Sequence, residues 1–330
     1  MPDPAPASLG PSAPFARRFG AYLAERFPPG PMLIVTVLGA LGALLLVSAA
    51  LSRPARVDLG LGLLIGSYFL LVLLLRVLDE FKDWERDVVA YPQRVLSRGI
   101  VAREEMVRVG KGAALLGLGA AVALGPVSAA GYVGLLVFAL LMAREFFLGP
   151  LLKKDVFLYA ALHQPINPLI SVWLLTTCAA RAGADPRHLL FRPVLLYVAA
   201  VFALGFGFEV ARKLWIPAEE RPDLVDSYSS HPIGPRGAGL VSLLLLLGGT
   251  AAAAGTALDL QLPAWSLAPL GLGALLFLLS VGKFAASPFA GASKKLQAAV
   301  GLGSLLVHLG LIAGLFARVG RPELTAWVQP

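Results

Sequence analysis

Charged residues and cysteine are both scarce in this 330-residue sequence. Only 15% of the residues are charged, whereas a soluble globular domain carries about 25%. The chain therefore has too few charges to cover a surface that faces water. The single cysteine, Cys178, excludes an intramolecular disulfide and a metal site built from several cysteines. Because Cys178 lies in an apolar segment, we expect it to be a small core residue.

Apolar residues, in contrast, are abundant and occur in long runs. They make up 57% of the chain, and the mean hydropathy is +0.76. Leu, Ala, Gly and Val form continuous blocks, which as helices can span roughly 30 Å of hydrocarbon while satisfying their own backbone hydrogen bonds. The sequence therefore predicts an all-α, polytopic membrane protein.

Nine blocks are long enough to cross a bilayer, and a tail precedes them. Residues 1–28 are rich in Pro and Ala at their start, and we expect a disordered cytoplasmic tail there. The fifth block contains Pro165 and Pro168, which a membrane helix tolerates when neighbouring helices or water bind the freed carbonyls. The nine predicted transmembrane helices are residues 31–52, 58–79, 106–124, 128–148, 156–177, 191–212, 237–256, 265–283 and 296–317.

The distribution of basic residues predicts the orientation of these helices. Of the 28 Lys and Arg residues, 21 lie in the N-terminal tail and beside the loops after even-numbered helices, and 7 lie on the opposite side. This excess predicts that the N-terminus and the even-numbered loops are cytoplasmic, and we expect a multi-pass protein of a bacterial inner membrane. The net charge of +8 then indicates contact with membrane lipids or phosphorylated substrates and no nucleic acid.

The first long cytoplasmic loop contains an acidic pattern. Asp79, Asp83 and Asp87 are four residues apart, and Glu80 precedes Asp83 by three. If the second helix continues through them, these carboxylates share one face, where they repel one another unless a cation neutralises them. Mg²⁺ suits such a cluster, because it typically takes one or two carboxylates, waters and substrate phosphate oxygens.

Two arginines follow that pattern. Arg94 and Arg98 carry fork-shaped guanidinium groups that suit phosphate. The alternative for the whole segment is a solvated loop beside the membrane, in which Lys82, Glu85 and Arg86 form surface ion pairs. The spacing alone does not decide between these interpretations.

The second charged loop follows the sixth helix. Glu209, Arg212 and Lys213 close that helix at or near membrane depth, where ionisable residues are costly and often functional. Alternatively, Lys213 extends to the interface and Arg212 is a topology charge. Beyond them lie further acidic and hydroxyl side chains, which alternatively form an acidic turn broken by prolines: Glu219, Glu220, Asp223, Asp226, Tyr228 and Ser229.

These residues resemble the UbiA superfamily of intramembrane aromatic prenyltransferases. Asp79-Glu80-x-x-Asp83-x-x-x-Asp87 is similar to the family motif Asn-Asp-x-x-Asp-x-x-x-Asp at the end of the second helix, with Asp79 for Asn and Glu80 for the first Asp. The segment from Arg94 to Gly99 resembles the Arg-Pro-Leu segment that follows, with Val95 in place of Pro. The second loop has the position of the family's second acidic motif but matches it loosely, so the chain looks like a divergent member.

The resemblance implies a fold, a reaction and a set of site residues. Residues 29–330 would form one domain of nine helices bundled around a central cavity. The reaction would be Mg²⁺-dependent transfer of a prenyl group from a polyprenyl diphosphate to a lipophilic acceptor, aromatic or lipid-like, within the membrane. The implied metal ligands are Asp79, Glu80, Asp83, Asp87, Glu209 and Asp226. The implied diphosphate-binding residues are Arg94, Arg98, Arg212 and Lys213.

Within these sets, Asp83, Asp87, Arg94 and Lys213 are the expected catalytic residues. His163 and Asn167, one helical turn apart, and Tyr228 are expected to line the substrate cavity, although His163 also suits a packing role. The competing hypothesis is a transporter or permease, or a non-catalytic binder of phosphorylated lipids or cations. The interrupted fifth helix suits a transporter, whereas no inverted repeat is evident. Metal-dependent release of diphosphate would indicate the enzyme.

Overall fold

The structure is a computed structural model that describes residues 9–152, 154–216, 219, 228 and 231–325. Over these residues the chain is helical, apart from a short parallel pairing of β1 (Arg56–Val57) with β2 (Glu323–Leu324). The α-helices are α1 (Phe15–Arg26), α2 (Pro29–Ala50), α3 (Leu59–Lys82), α4 (Trp84–Ala90), α5 (Arg103–Ala123), α6 (Pro126–Ala143), α7 (Gly149–Leu152), α8 (Val156–His163), α9 (Ile166–Arg181), α10 (Arg192–Ala211), α11 (Gly234–Asp259), α12 (Leu267–Phe277), α13 (Lys283–Ala286) and α14 (Ala292–Val319).

Eight helical segments of the described chain are long and apolar enough to cross a membrane. They are α2, α3, α5, α6, α10, α11, the composite helix Ala264–Ala286 and α14. The composite helix joins α12 to α13 through a π-helical turn at Leu278–Gly282. These segments confirm an all-α, multi-pass integral membrane protein.

The fifth predicted helix is interrupted. Residues 156–177 form α8 and the first part of α9, with Gln164 and Pro165 between the two helices. Both residues keep right-handed helical backbone angles, so the run is kinked rather than reversed. Pro165 and Pro168 cause the kink because they lack the N–H groups of a regular helix. Eight of the nine predicted crossings therefore correspond to long apolar helices in the described chain, and the ninth crossing, by the kinked run, stays a prediction.

The segment just before the first membrane helix is ordered. Residues 15–26, which belong to the predicted disordered tail, form α1. Phe15, Phe19 and Tyr22 stack along one face of α1, with ring centroids 5.4 and 5.7 Å apart, and Tyr22 is 0% exposed. The prediction of disorder is therefore wrong for this segment, because Tyr22 is buried in the core and Phe19 packs against it.

Contacts divide the chain into two compact units. The N-terminal unit contains the residues up to Ala40 and Leu59–Phe147, and the C-terminal unit contains Leu41–Asp58 and the residues from Leu148 onward. The prediction of one nine-helix domain over residues 29–330 stays a prediction. The core of the N-terminal unit joins α1, α3, α5 and the loop before α5, and includes Tyr22, Phe27, Val77, Val95, Ile100 and Met106.

In the C-terminal unit, α10 packs closely along α11. A Cβ atom at Gly207 would lie 2.7 Å from Cγ of Leu246, so a larger residue would force the two helices apart. Ser242 donates a hydrogen bond of 2.8 Å to the carbonyl of Gly207, and Thr256 donates one of 3.1 Å to the carbonyl of Pro193. Small residues and hydroxyl bonds of this kind are typical of helix packing in membranes.

Candidate active site

The acidic pattern lies where α3 bends into α4. Asp83 occupies the junction, with φ −94° and ψ 5°. Helical hydrogen bonds continue through it, from the Asp83 amide to the Asp79 carbonyl at 3.0 Å and from the Asp87 amide to the Asp83 carbonyl at 2.8 Å. The second helix thus extends through the pattern with a bend, and its carboxylates are distributed over more than one surface.

Glu80 and Asp87 line one small cleft, which we call the acidic cleft. Glu80 is 5% exposed and Asp87 is 8% exposed, so both carboxylates are withdrawn from water. The segment after α4 supplies Arg94 on the same cleft. The full lining is Glu25, Arg26, Glu80, Trp84, Asp87, Val88, Arg94, Leu96 and Ser97.

Arginine side chains compensate the charge of the two buried carboxylates. Glu80 Oε1 accepts hydrogen bonds from Arg26 Nε at 2.9 Å and from Arg76 Nη2 at 2.6 Å. Asp87 Oδ2 accepts one from Arg94 Nη1 at 2.5 Å, and Arg26 Nη2 lies 3.7 Å from the same oxygen. Such pairing is needed, because a buried carboxylate without a partner is strongly destabilising.

The other two carboxylates of the pattern lie outside the acidic cleft. Asp83 pairs with Arg86 at 3.3 Å, and burial raises the pKa of the Asp83 carboxyl group above its ordinary value. Asp79 pairs with Lys82 at 2.8 Å and lies 3.6 Å from Arg76. The structure therefore brings Glu80 and Asp87 together with Arg94 and gives Asp79 and Asp83 different surroundings.

Asp79 faces a second, larger space, which we call the apolar cavity. This cavity has a volume of about 290 Å³ and is lined mainly by the apolar side chains of α3 and α6. Its charged residues come from the ends of α1 and α3. One end of the cavity is therefore polar, and the rest of its lining is apolar. The lining residues are Arg26, Phe27, Met32, Val72, Leu75, Arg76, Leu78, Asp79, Lys82, Ala139, Met142 and Ala143.

The segment that follows α4 holds the two predicted phosphate-binding arginines. Arg94 stacks on the ring of Tyr91, with its guanidinium carbon 3.5 Å from the ring centroid. Burial lowers the pKa of the Arg94 guanidinium, although an arginine stays charged at neutral pH. Arg98 lies in the turn before Gly99, whose φ is +66°, and lines neither the acidic cleft nor the apolar cavity.

The structure describes the first part of the second predicted motif, Glu209, Arg212 and Lys213, which lies in the C-terminal unit. Glu209 is held by Arg212, with hydrogen bonds of 2.6 and 2.9 Å, and by Lys213 at 3.1 Å. Lys213 is buried, whereas the Arg212 side chain is 41% exposed. Asp226, like Glu220 and Asp223, lies outside the described residues.

The predicted cavity residues His163, Asn167 and Tyr228 each contact neighbours in the C-terminal unit. The His163 ring stacks on Tyr159, with centroids 4.0 Å apart, and its Nδ1 lies 2.8 Å from the Tyr159 carbonyl oxygen. Asn167 Nδ2 donates to Gln164 Oε1 at 2.8 Å, beside the kink. Tyr228 is buried against Phe157, with ring centroids 4.5 Å apart. Their role in substrate binding stays a prediction.

Comparison with solved structures decides what this helical arrangement resembles. A structure of digeranylgeranylglyceryl phosphate synthase in membranes matches with a TM-score of 0.64 and 16% identity, over 91% of this chain and 99% of that one. The apo structure of a UbiA homolog from Aeropyrum pernix K1 matches with a TM-score of 0.62 and 20% identity, over 85% of this chain and 98% of that one. The chain has a UbiA-like fold. No family model and no curated protein matches the sequence.

The UbiA-like fold confirms the resemblance that the acidic pattern suggested, at the level of architecture. Both matches cover most of the chain, so they include the two compact units. Their identities of 16% and 20% are too low to transfer a substrate or a reaction.

Mg²⁺ is the metal that a UbiA-like fold implies, and the acidic cleft offers suitable donors. In the described part of the chain, no group of three or more His, Cys, Asp or Glu side chains converges. Mg²⁺ needs only one or two protein carboxylates, however, because waters and substrate phosphates complete its coordination. Asp87 Oδ1 and Glu25 Oε1 are buried and accept no hydrogen bond, although Arg86 Nε lies 3.5 Å from Asp87 Oδ1, and both side chains line the cleft. These hard oxygen donors fit Mg²⁺.

Glu25 and Arg26 are site residues that no motif in the sequence indicates. Both belong to the last turn of α1 and line the acidic cleft, whereas in the sequence Arg26 is only one of the basic residues of the N-terminal tail. The spacing of Phe15, Phe19 and Tyr22, which puts three aromatic rings on one helical face, is the signal that could have identified α1.

Proposed function

We propose that this protein transfers a prenyl group from a polyprenyl diphosphate to a lipophilic acceptor, aromatic or lipid-like, within the membrane. The observation that carries this proposal is the adjacency, in a UbiA-like fold, of the acidic cleft and the apolar cavity at the end of α3. Arg26 lines both of them. A substrate with a long apolar chain and a charged diphosphate group requires this combination of an apolar cavity and a polar end.

The apolar cavity supports binding of the prenyl chain. Val72 and Leu75 on α3 and Ala139 and Met142 on α6 supply hydrocarbon surface of the kind that an isoprenoid tail buries. At the polar end, Arg76 and Lys82 supply positive charge for the diphosphate. We assign further diphosphate contacts to Arg94, Arg98, Arg212 and Lys213.

The carboxylates would hold the metal. Glu25, Glu80 and Asp87 are the ligands that the acidic cleft offers, and Asp79, Asp83, Glu209 and Asp226 are further candidate ligands. Mg²⁺ bound there would supply positive charge to the diphosphate oxygens as negative charge develops on them. The catalytic set that we propose is Asp83, Asp87, Arg94 and Lys213.

The reaction breaks the allylic C–O bond, and the electron pair of that bond leaves with the diphosphate. Arg94, fixed by Asp87 and stacked on Tyr91, would donate hydrogen bonds to the departing group. An electron pair of the acceptor forms the new bond to the allylic carbon, and the acceptor then loses a proton. The apolar lining of the cavity would limit the access of water, which would otherwise capture the allylic carbon.

One observation favours a second candidate function, a binder of phosphorylated lipids without turnover. Each carboxylate of the first motif pairs with an arginine or a lysine. Such pairs neutralise the acidic face without a metal, so the residues could also serve as a fixed anion-binding surface. This candidate predicts binding that does not depend on Mg²⁺.

A single assay separates the two candidates. The purified protein is incubated with Mg²⁺, a lipid extract and prenyl diphosphates of increasing chain length, while diphosphate release and lipid products are followed by mass spectrometry. The enzyme predicts diphosphate release that stops on chelation of Mg²⁺, together with a lipid whose mass has increased by a prenyl group. Saturable binding of prenyl diphosphate without release would instead support the binder.

A further inference from the structure

Arg26 connects the two spaces of the candidate site. It lines both the acidic cleft and the apolar cavity, and it is the one residue common to their linings in the described chain. Its guanidinium reaches Glu80 through Nε at 2.9 Å and Asp87 through Nη2 at 3.7 Å. A single positive charge therefore lies between the two buried carboxylates that are best placed to bind a metal.

The rest of α1 holds Arg26 in this position. Tyr22 and Phe27, on either side of it, are buried in the core of the N-terminal unit. Glu25 Oε2 accepts a hydrogen bond of 3.1 Å from the amide of Val95, next to Arg94. At the other end of the helix, Arg18 donates to both carboxylate oxygens of Glu105, at 2.6 and 2.7 Å. Arg26 is thus presented by an anchored helix and not by a free tail.

The charge of Arg26 has opposite effects on the two ligands of the site. A guanidinium between Glu80 and Asp87 repels a metal cation that approaches the same oxygen atoms. The same guanidinium attracts a diphosphate at the charged end of the apolar cavity, where its planar donors suit phosphate oxygens. Arg76 and Arg94 each pair with one of these two carboxylates, whereas Arg26 lies beside both.

We propose that Arg26 is a substrate-binding residue of the site, which holds Glu80 and Asp87 together while no metal is bound and pairs with the substrate diphosphate once a metal takes those carboxylates. This proposal rests on the proposed function and adds α1 to the machinery of the reaction. It requires no movement of the backbone, since Arg26 already lines both spaces.

The test measures metal and diphosphate binding separately. Arg26→Gln removes the charge but keeps a polar side chain, and Arg17→Gln on the same helix is the matched control because Arg17 is exposed. Binding of Mn²⁺, as a paramagnetic probe for Mg²⁺, is followed by electron paramagnetic resonance on the full-length purified protein. Binding of inorganic pyrophosphate in saturating Mn²⁺ is followed by calorimetry.

The expected result is a pair of opposite shifts. Arg26→Gln should bind Mn²⁺ about tenfold more tightly and pyrophosphate about tenfold more weakly than the wild type, each shift corresponding to roughly 1.4 kcal/mol. Arg17→Gln should match the wild type in both measurements. A purely structural role for Arg26 would lower the melting temperature and leave both affinities of the folded protein unchanged, which would overturn the proposal.

A second variant covers the case in which Arg26→Gln does not fold. Arg26→Lys keeps the charge, but a single ammonium group does not span Glu80 and Asp87 as the guanidinium does. It should shift both affinities in the same directions by a smaller factor, and wild-type values for both would overturn the proposal. If the wild type itself binds neither Mn²⁺ nor pyrophosphate, the proposed function fails as well. If it binds both and the Arg26 variants do not differ from it, only the role of Arg26 fails.

Discussion

The guanidinium of Arg26 donates a hydrogen bond of 2.9 Å from Nε to Oε1 of Glu80. The bond joins α1 to the last turn of α3, and Glu80 also accepts from Arg76 at 2.6 Å. One buried carboxylate thus balances two arginines.

Glu80→Gln should therefore lower the stability of the protein. Without the carboxylate, two partly buried guanidinium groups lose their shared partner, and we expect the free energy of unfolding to fall by about 1–3 kcal/mol. Unfolding in detergent by heat or denaturant measures this change. Glu85→Gln is the matched control, because Glu85 is exposed one turn further along. Equal stability of the two variants would mean that α1 is not anchored through Glu80.

The kinked run α8–α9 should cross the membrane. Glu85 and Arg187 are separated by α5, α6 and this run, so three crossings place them on opposite sides of the bilayer and two place them on the same side. Single cysteines at these two exposed positions can be labelled with an impermeant maleimide in intact cells and in inverted vesicles. The native Cys178 is buried and should contribute little background. We expect Glu85→Cys to be labelled from the cytoplasmic side and Arg187→Cys from the opposite side, whereas labelling of both from one side would contradict a ninth crossing.

The packing of α5 in the N-terminal unit depends on one glycine. A Cβ atom at Gly117 would overlap the hydroxyl of Tyr132 on α6, whereas one at Gly119 would meet nothing within 4 Å. Gly117→Ala should cost about 1–3 kcal/mol through overpacking, and Gly119→Ala should be neutral or slightly stabilising. Melting temperatures of the two variants, measured side by side in detergent, check the prediction. A neutral Gly117→Ala would show that α5 and α6 do not approach as described.

Asp83 should make the folded protein less stable as the pH rises. Burial raises its pKa in the folded protein, so folding disfavours the ionised form, and the stabilisation present at low pH is lost as the pH rises through the folded pKa. Asp83→Asn removes this loss. The melting temperature of the variant relative to the wild type should therefore increase as the pH rises above about 4, the ordinary pKa of an aspartate. A difference that decreases over that range would contradict the prediction.

The membrane helices could be predicted from the sequence because their signal is local. A run of about 20 apolar residues must form a helix in hydrocarbon, whatever its neighbours are. The predicted segment 58–79 and the observed α3 (Leu59–Lys82), for example, differ mainly at the polar end, where the helix continues into the acidic pattern. The kink in the fifth segment also has a local cause, in Pro165 and Pro168.

The rest of the site depends on contacts between distant residues. Glu25 and Arg26 reach the acidic cleft because the aromatic face of α1 packs on α3 and on the loop near Val95. No spacing in the sequence relates position 26 to positions 80 and 87. The pattern likewise placed Asp79, Glu80, Asp83 and Asp87 on one face, whereas the bend at Asp83 and the choice of basic partners separate them into different surroundings. Which basic residue pairs with each carboxylate depends on the folded structure and cannot be predicted from the spacing.

The most direct measurement is Mg²⁺-dependent diphosphate release by Asp83→Asn, Asp87→Asn and Glu85→Gln, side by side with the wild type. Loss of a carboxylate that binds the metal should reduce turnover by at least about 100-fold, so we expect both aspartate variants to be inactive while they remain folded and inserted in the membrane. Glu85→Gln, which changes an exposed side chain, should keep nearly full activity. Equal loss in all three variants, or full activity in the aspartate variants, would contradict a prenyltransferase that works through the acidic motif.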